Sequence, residues 1–282
     1  MLGQDINLDL SNWEGIELML YGIILGYYVL ISFYFIFLKY RNSKKTYWLF
    51  FGNIFISLAI GRYFFQMLYF FVPAQGVSPE TGEALMYCYR LATFFTWIGI
   101  SFAVGVLGIL LLPTIVDKNR EITEKNQIKK AIIKFLNNDK RRLAIRIILM
   151  IIPVIVGILA LILPDNLLMD VETNVTYFYP PIELITIFGY PIGRLWLNWI
   201  LLPLLVFLIP FMFLLLAYKT FGVLRKSYLL NGVAFLMYFA GRILDGVFNS
   251  LNWPHIKSYI PPLFIIVSLI LFVLANSVSE LK

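Results

Sequence analysis

A chain of 282 residues holds a single cysteine, Cys88, and a single histidine, His255. One cysteine excludes an intramolecular disulfide and a Cys-rich metal site. One histidine excludes a bis-histidine haem and any zinc site built from several histidines. Charge is scarce too, at 14% of residues, against roughly 25% in an ordinary soluble protein. The first 17 residues carry Asp5, Asp9, Glu14 and Glu17 and no Lys or Arg, so no cleavable signal peptide is expected. Paired-carboxylate motifs, a phosphate loop and metal-ligand spacings are absent from the sequence. Hence no catalytic residue, cofactor or metal is expected, and the chain is not read as an enzyme.

What is present is apolar. Hydrophobic residues make up 60% of the chain, more than a soluble domain of this length can hide from water. The expectation is an integral, multi-pass membrane protein of the cell membrane. Runs long enough to cross a bilayer lie at about 18–38, 46–71, 91–116, 147–164, 192–218, 227–250 and 258–279. The fold class is therefore all-α, a seven-transmembrane-helix bundle with residues 1–282 as one transmembrane domain. Pro153, Pro203 and Pro210 fall inside spans, where neighbouring helices let kinks persist.

The loops alternate in charge. The first connection has Lys39, Arg41, Lys44 and Lys45. The third, residues 117–146, has ten basic residues, and the fifth has Lys219, Arg225 and Lys226. By contrast the second carries Glu80 and Glu83, and the fourth carries Asp165, Asp170, Glu172 and Glu183. Basic loops stay in the cytoplasm, which places the N-terminus outside and the C-terminus inside. The net charge of +7 is thus a cytoplasmic skirt facing anionic inner-leaflet lipids, not a nucleic-acid patch. Within 117–146, Ile128, Ile132, Phe135 and Leu136 recur at helical spacing among Lys129, Lys130 and Lys134. That pattern predicts a short amphipathic helix on the inner leaflet, or a solvated linker helix. A cytoplasmic or membrane protein is the other expected partner. On the outer side, Tyr177, Tyr179, Tyr190, Trp196 and Trp199 fit an interfacial aromatic belt, and Asn174-Val175-Thr176 is a glycosylation sequon.

Two spans resemble each other. Span 2 opens Lys44-Lys45-Thr46-Tyr47, and span 6 opens Arg225-Lys226-Ser227-Tyr228. Further in, Gly52, Phe55, Gly61 and Arg62 match Gly232, Phe235, Gly241 and Arg242 at one constant spacing. Spans 1–3 then repeat as spans 5–7, with span 4 restoring the orientation, a 3+1+3 plan. This layout resembles the seven-helix superfamily of SWEET sugar transporters, PQ-loop transporters and microbial rhodopsins. The chain departs from that group's motifs: span 7 has no lysine for retinal, no Pro-Gln pair marks a PQ loop, and Arg90-Leu91-Ala92-Thr93 lacks the counter-ion acid. The topology also resembles G-protein-coupled receptors, without an Asp-Arg-Tyr triplet after span 3.

All but five of the 23 basic residues lie on the expected inner side. The five are Arg62, Arg90, Arg194, Arg242 and Lys257. Charges inside a membrane are costly and face the protein interior or a wet cavity. By rise per residue, Arg62, Arg90, Arg194 and Arg242 all fall in the outer half. Asp245 lies one helical turn after Arg242, where the two can pair. One reading is structural, with the arginines bound to Asp245, Glu183, Glu83 and helix-end carbonyls. The other is an outward-facing, arginine-lined cavity for an anion, with Arg62, Arg90, Arg194, Arg242 and Asp245 as the ligand-binding residues. The functions that follow are a small-ligand receptor, sensor or accessory subunit. A facilitative transporter of two triple-helix repeats and a structural subunit of a membrane complex are the alternatives. His255 reads as an exposed loop residue, and Cys88 as a small packing residue.

Overall fold

A computed structural model describes residues 12–112, 138–251 and 253–277. The amphipathic segment expected at 128–136 lies outside the described residues. Seven helices among the described residues are long and apolar enough to cross a membrane. They are α1 (Asn12–Phe33), α2 (Thr46–Gln66), α3 (Pro79–Leu111), α4 (Asp139–Ile162), α5 (Leu202–Lys219), α6 (Gly222–Ser250) and α7 (Pro254–Ser277). Wider π-helical turns extend α1 over Tyr34–Tyr40 and α2 over Met67–Phe71, and precede α5 over Leu195–Leu201. Helix α3 starts well before the expected residue 91. Ser78 caps it by accepting from the Thr81 amide, and Pro79 occupies the first turn, so the start is set by capping and not by the last charge. His255 belongs to the first turn of α7, edge-on to Trp13 at 4.3 Å.

Helix α1 packs on α2 and α7, α2 on α3, α3 on α5, α5 on α6, and α6 on α7. Six helices thereby close a ring, while α4 lies outside it against α3. Helix α4 presents Ile148, Ile151, Ile152, Ile155 and Ile162 outward. It buries Pro153, Val156, Gly157 and Ala160. Its contact with α3 is made of small residues: a Cβ on Gly157 would meet Trp97 Cβ at 3.1 Å, and one on Gly105 would meet Met150 Sδ at 2.9 Å. Small residues let membrane helices approach closely where no hydrophobic driving force separates protein from lipid. Ser101 adds a hydrogen bond from Oγ to the Met150 carbonyl at 2.7 Å.

Aromatic rings fill the middle of the ring. Phe35 stacks on Phe55 at 5.9 Å, and Phe213 stacks on Phe235 at 5.3 Å. Phe272 of α7 stands edge-on to both Phe55 and Phe235, at 5.4 and 4.6 Å. Offset and edge-to-face pairs each contribute about 0.5–1.5 kcal/mol beyond their burial.

Four glycines set the helix contacts. Gly52 meets the Ser32 carbonyl at the end of α1, with a notional Cβ 3.3 Å from it, and Gly232 meets the Pro210 carbonyl of α5 at the same distance. Gly61 faces the Ala92 carbonyl of α3 at 3.1 Å, and Gly241 faces the Pro261 carbonyl of α7 at 2.9 Å.

The connection between α4 and α5 folds onto the end of the bundle that carries the acidic loops, called here the acidic end. It holds short helices at Asp165–Leu168 and Val171–Tyr177 and a hairpin pairing Thr186–Ile187 with Tyr190–Pro191. The hairpin turns through Phe188 (φ 52°) and Gly189 (φ 79°), two left-handed residues in the manner of a type I′ turn. Asn174 is buried, and its side-chain amide both donates to the Ile182 carbonyl (2.7 Å) and accepts from the Ile182 amide (2.9 Å). A glycan on this nitrogen is incompatible with that pair of bonds, so the sequon is occupied by a structural role.

Gly61→Val and Gly241→Val are expected to force α2 from α3 and α6 from α7, costing about 1–3 kcal/mol each. Gly26→Ala, where a Cβ meets nothing within 4 Å, leaves the melting temperature unchanged or slightly raised. Equal effects of all three in a detergent melting series would contradict this packing.

Candidate functional site

The five intramembrane charges singled out from sequence divide into two groups. Arg90 and Arg194 are committed to the acidic-end loop. Arg90 donates through Nη1 to the Leu161 carbonyl at 2.5 Å and pairs through Nη2 with Asp165 at 2.7 Å. This ties α3 to the end of α4 and the loop that follows it. Arg194 pairs with Asp170 at 3.2 Å and lies over the Tyr89 ring at 4.3 Å. The Tyr89 hydroxyl in turn accepts from Asn198 Nδ2 at 2.8 Å. Glycines seat the same loop: Gly193 lies against the Leu167 carbonyl, and Gly82 against Phe178.

Arg62 and Arg242 behave differently. Arg62 is 6% exposed, and its guanidinium carbon lies 3.9 Å from the centroid of the Tyr21 ring. Arg242 lies over the Phe65 ring at 5.1 Å. Among the described residues, neither has a carboxylate within 4.0 Å. The expected Arg242–Asp245 pair does not form. The reason is tertiary: Arg242 is drawn across to Phe65 of α2, while the Asp245 carboxylate accepts from the Tyr21 hydroxyl of α1 at 3.3 Å. Tyr21 thus presents its face to a cation and its hydroxyl to an anion.

These groups form one electrostatic cluster. Arg62 lies near Tyr21, Tyr28, Tyr238 and Asp245, and Tyr69 lies near Asp245, Arg194, Arg242 and Arg62. Beside them Lys257 pairs with Glu17 at 3.9 Å and lies 5.8 Å from the Tyr69 ring centroid, and Ser258 donates to Glu17 at 3.4 Å. The Tyr28 hydroxyl is buried beside Tyr238. Tyr21, Glu17, Tyr28 and Lys257 escaped sequence reasoning as site residues. Glu17 sat at a span boundary, and tyrosines in a chain with 17 of them carry no positional signal.

A second polar node closes the opposite, basic end. Asn231 and Asn276 exchange amide hydrogen bonds at 3.0 and 3.4 Å. Buried Lys39 donates to the Asn276 carbonyl at 3.1 Å and lies near the rings of Tyr34 and Trp48. Arg146 caps the end of α3, donating to the carbonyls of Gly108 and Leu112. Among the described residues no cluster of three or more His, Cys, Asp or Glu could hold a metal.

Searches against family models, curated proteins and solved structures find no match for this chain.

Arg90→Ala is expected to loosen residues 163–194 and speed their amide exchange. A double-mutant cycle with Asp165→Ala should return about 1 kcal/mol of coupling, modest because Asp165 is half exposed. Zero coupling with unchanged exchange would remove the anchoring role.

Proposed function

We propose that this multi-pass membrane protein is a receptor or sensor for a small anionic ligand, or the ligand-binding accessory subunit of one. In this reading it sits in the cell membrane with its N-terminus outside. The observation that carries the reading is the absence of any acid within 4.0 Å of Arg62 and Arg242 among the described residues, although Asp245 is one turn from Arg242. Arg62 is buried and Arg242 half-buried, and taking a guanidinium fully out of water costs several kcal/mol. A ring face offsets about 2 kcal/mol of that, and a carboxylate or phosphate held by paired hydrogen bonds would offset the rest. The ligand bridges Arg62 on α2 and Arg242 on α6, draws the two helices together, and shifts the basic loops that a partner protein reads.

The transporter reading is favoured by one feature. The matched glycines touch matched neighbours: Gly52 and Gly232 each meet the preceding helix, and Gly61 and Gly241 each meet the following one. The stacked pairs Phe35–Phe55 and Phe213–Phe235 match as well. This supports two triple-helix repeats with α4 as linker. Against transport of a charged solute stands the basic end, where Asn231, Asn276 and Lys39 are tied to one another.

Thermal melting of the protein in nanodiscs with pooled carboxylates and inorganic phosphate is expected to show stabilisation. Arg62→Lys and Arg242→Gln should each reduce it about tenfold in apparent affinity, since Lys keeps the charge but not the paired geometry. Arg90→Ala should leave it intact. Stabilisation that survives both site variants overturns the reading. Liposome uptake abolished by Arg242→Gln would establish transport in its place.

A further inference from the structure

The charges at the acidic end include both signs, and they are held apart. Arg242 and Asp245 lie one turn apart on α6, a spacing at which an isolated helix pairs them. Yet Arg242 rests on Phe65 of α2, and Asp245 accepts from Tyr21 of α1. Arg62 touches the same Tyr21 on its ring face. Two guanidiniums and one carboxylate therefore share a cluster, and among the described residues none has a counter-ion within 4.0 Å. Glu17 and Lys257 pair with each other beside them and cancel.

A site for a simple anion gains nothing from an aspartate in its midst, because like charge repels the ligand. A carboxylate kept free of the adjacent arginine is a carboxylate available to a cation. Complementing the three groups takes two anionic groups and one ammonium. We infer that the separated charges of Arg62, Arg242 and Asp245 recognise a net monoanion with two acidic groups flanking an ammonium. The inference rests on the anion reading above and sharpens it. A free amino dicarboxylate has this chemistry, and so does the headgroup of phosphatidylserine, with its phosphate, carboxylate and ammonium. The aromatic side chains near them, Tyr28, Phe65, Tyr69 and Tyr238, leave recognition to the three ionic groups.

The test uses the full chain in phosphatidylcholine nanodiscs. Aspartate, glutamate and 2-aminoadipate are titrated against succinate, glutarate and adipate, which differ from them only by the missing ammonium. A parallel arm replaces part of the lipid with phosphatidylserine. One amino diacid, or the phosphatidylserine arm, is expected to stabilise the wild-type protein. The amino diacid should bind about tenfold more tightly than its desamino partner, the effect of one charge-assisted hydrogen bond. In Asp245→Asn that advantage disappears, and the desamino partner binds at least as tightly as before, because the like charge that repels it is gone. Stabilisation by phosphatidylserine alone, lost in Asp245→Asn, assigns the site to the lipid headgroup.

Equal or tighter binding of the desamino acids to the wild type overturns the inference and leaves the anion reading standing. This comparison needs no variant and holds even if Asp245→Asn fails to fold. No response to any diacid, amino diacid, inorganic phosphate or phosphatidylserine overturns both.

Discussion

A charge buried among apolar helices must find its partner inside the protein, because lipid offers none. That constraint shows in where the charged side chains of the described helices are placed. Arg90, Arg146 and Arg194 meet it with backbone carbonyls or acids at helix ends. Lys39 meets it with the Asn276 carbonyl. Among the described residues, Arg62 and Arg242 meet it with aromatic faces. The contrast separates groups whose electrostatics are settled by the fold from groups that the fold leaves open.

The same constraint explains why glycine and phenylalanine dominate the packing. Helices in lipid gain little from hiding apolar surface, so close approach and ring geometry must hold them. Gly61 brings α2 within contact of the α3 backbone, and Gly241 does this for α6 and α7. Phe272 then serves both halves by standing edge-on to Phe55 and Phe235. The arginines follow directly after these glycines in sequence, at Gly61-Arg62 and Gly241-Arg242. Wherever the glycine fixes the helix contact, it also fixes the azimuth of the arginine one residue later. Close packing and the site are therefore set by one dipeptide on each helix.

The seven spans were legible because apolar runs need no tertiary context. Their ends were less so: the Ser78-Pro79 cap was present in the sequence, but Arg90 and two glutamates hid the continuation of α3 behind a charge boundary. Arg62, Arg90, Arg194, Arg242 and Asp245 were visible as intramembrane charges, yet their partners were not. Asp245 appeared paired with Arg242 because sequence displays neighbours along one helix and not the Phe65 and Tyr21 that other helices bring between them. Tyr21 comes from 224 residues away, and no spacing rule reaches that far. The hydrogen-bonded role of Asn174 was hidden for a similar reason, since its amide pairs with the backbone of Ile182.

Helix α1 is the element that touches everything the proposed site needs. Near its start Glu17 pairs with α7, and Tyr21 joins Arg62 of α2 to Asp245 of α6. Near its end Lys39 holds the Asn276 carbonyl of α7, beside the Asn231 amide of α6. Lys39 itself lies in the π-helical stretch Tyr34–Tyr40, where the hydrogen-bond register is widened. A ligand that took Asp245 or Arg62 from Tyr21 would release α1 from α2 and α6 at one end. Its other end would stay fastened to α7. Strain on α1 would then be taken up before Lys39, in the π-helical turns that begin at Tyr34. In the proposed reading the site therefore acts first on the contacts that Tyr21 makes, because α1 is the helix that joins Arg62 to Asp245.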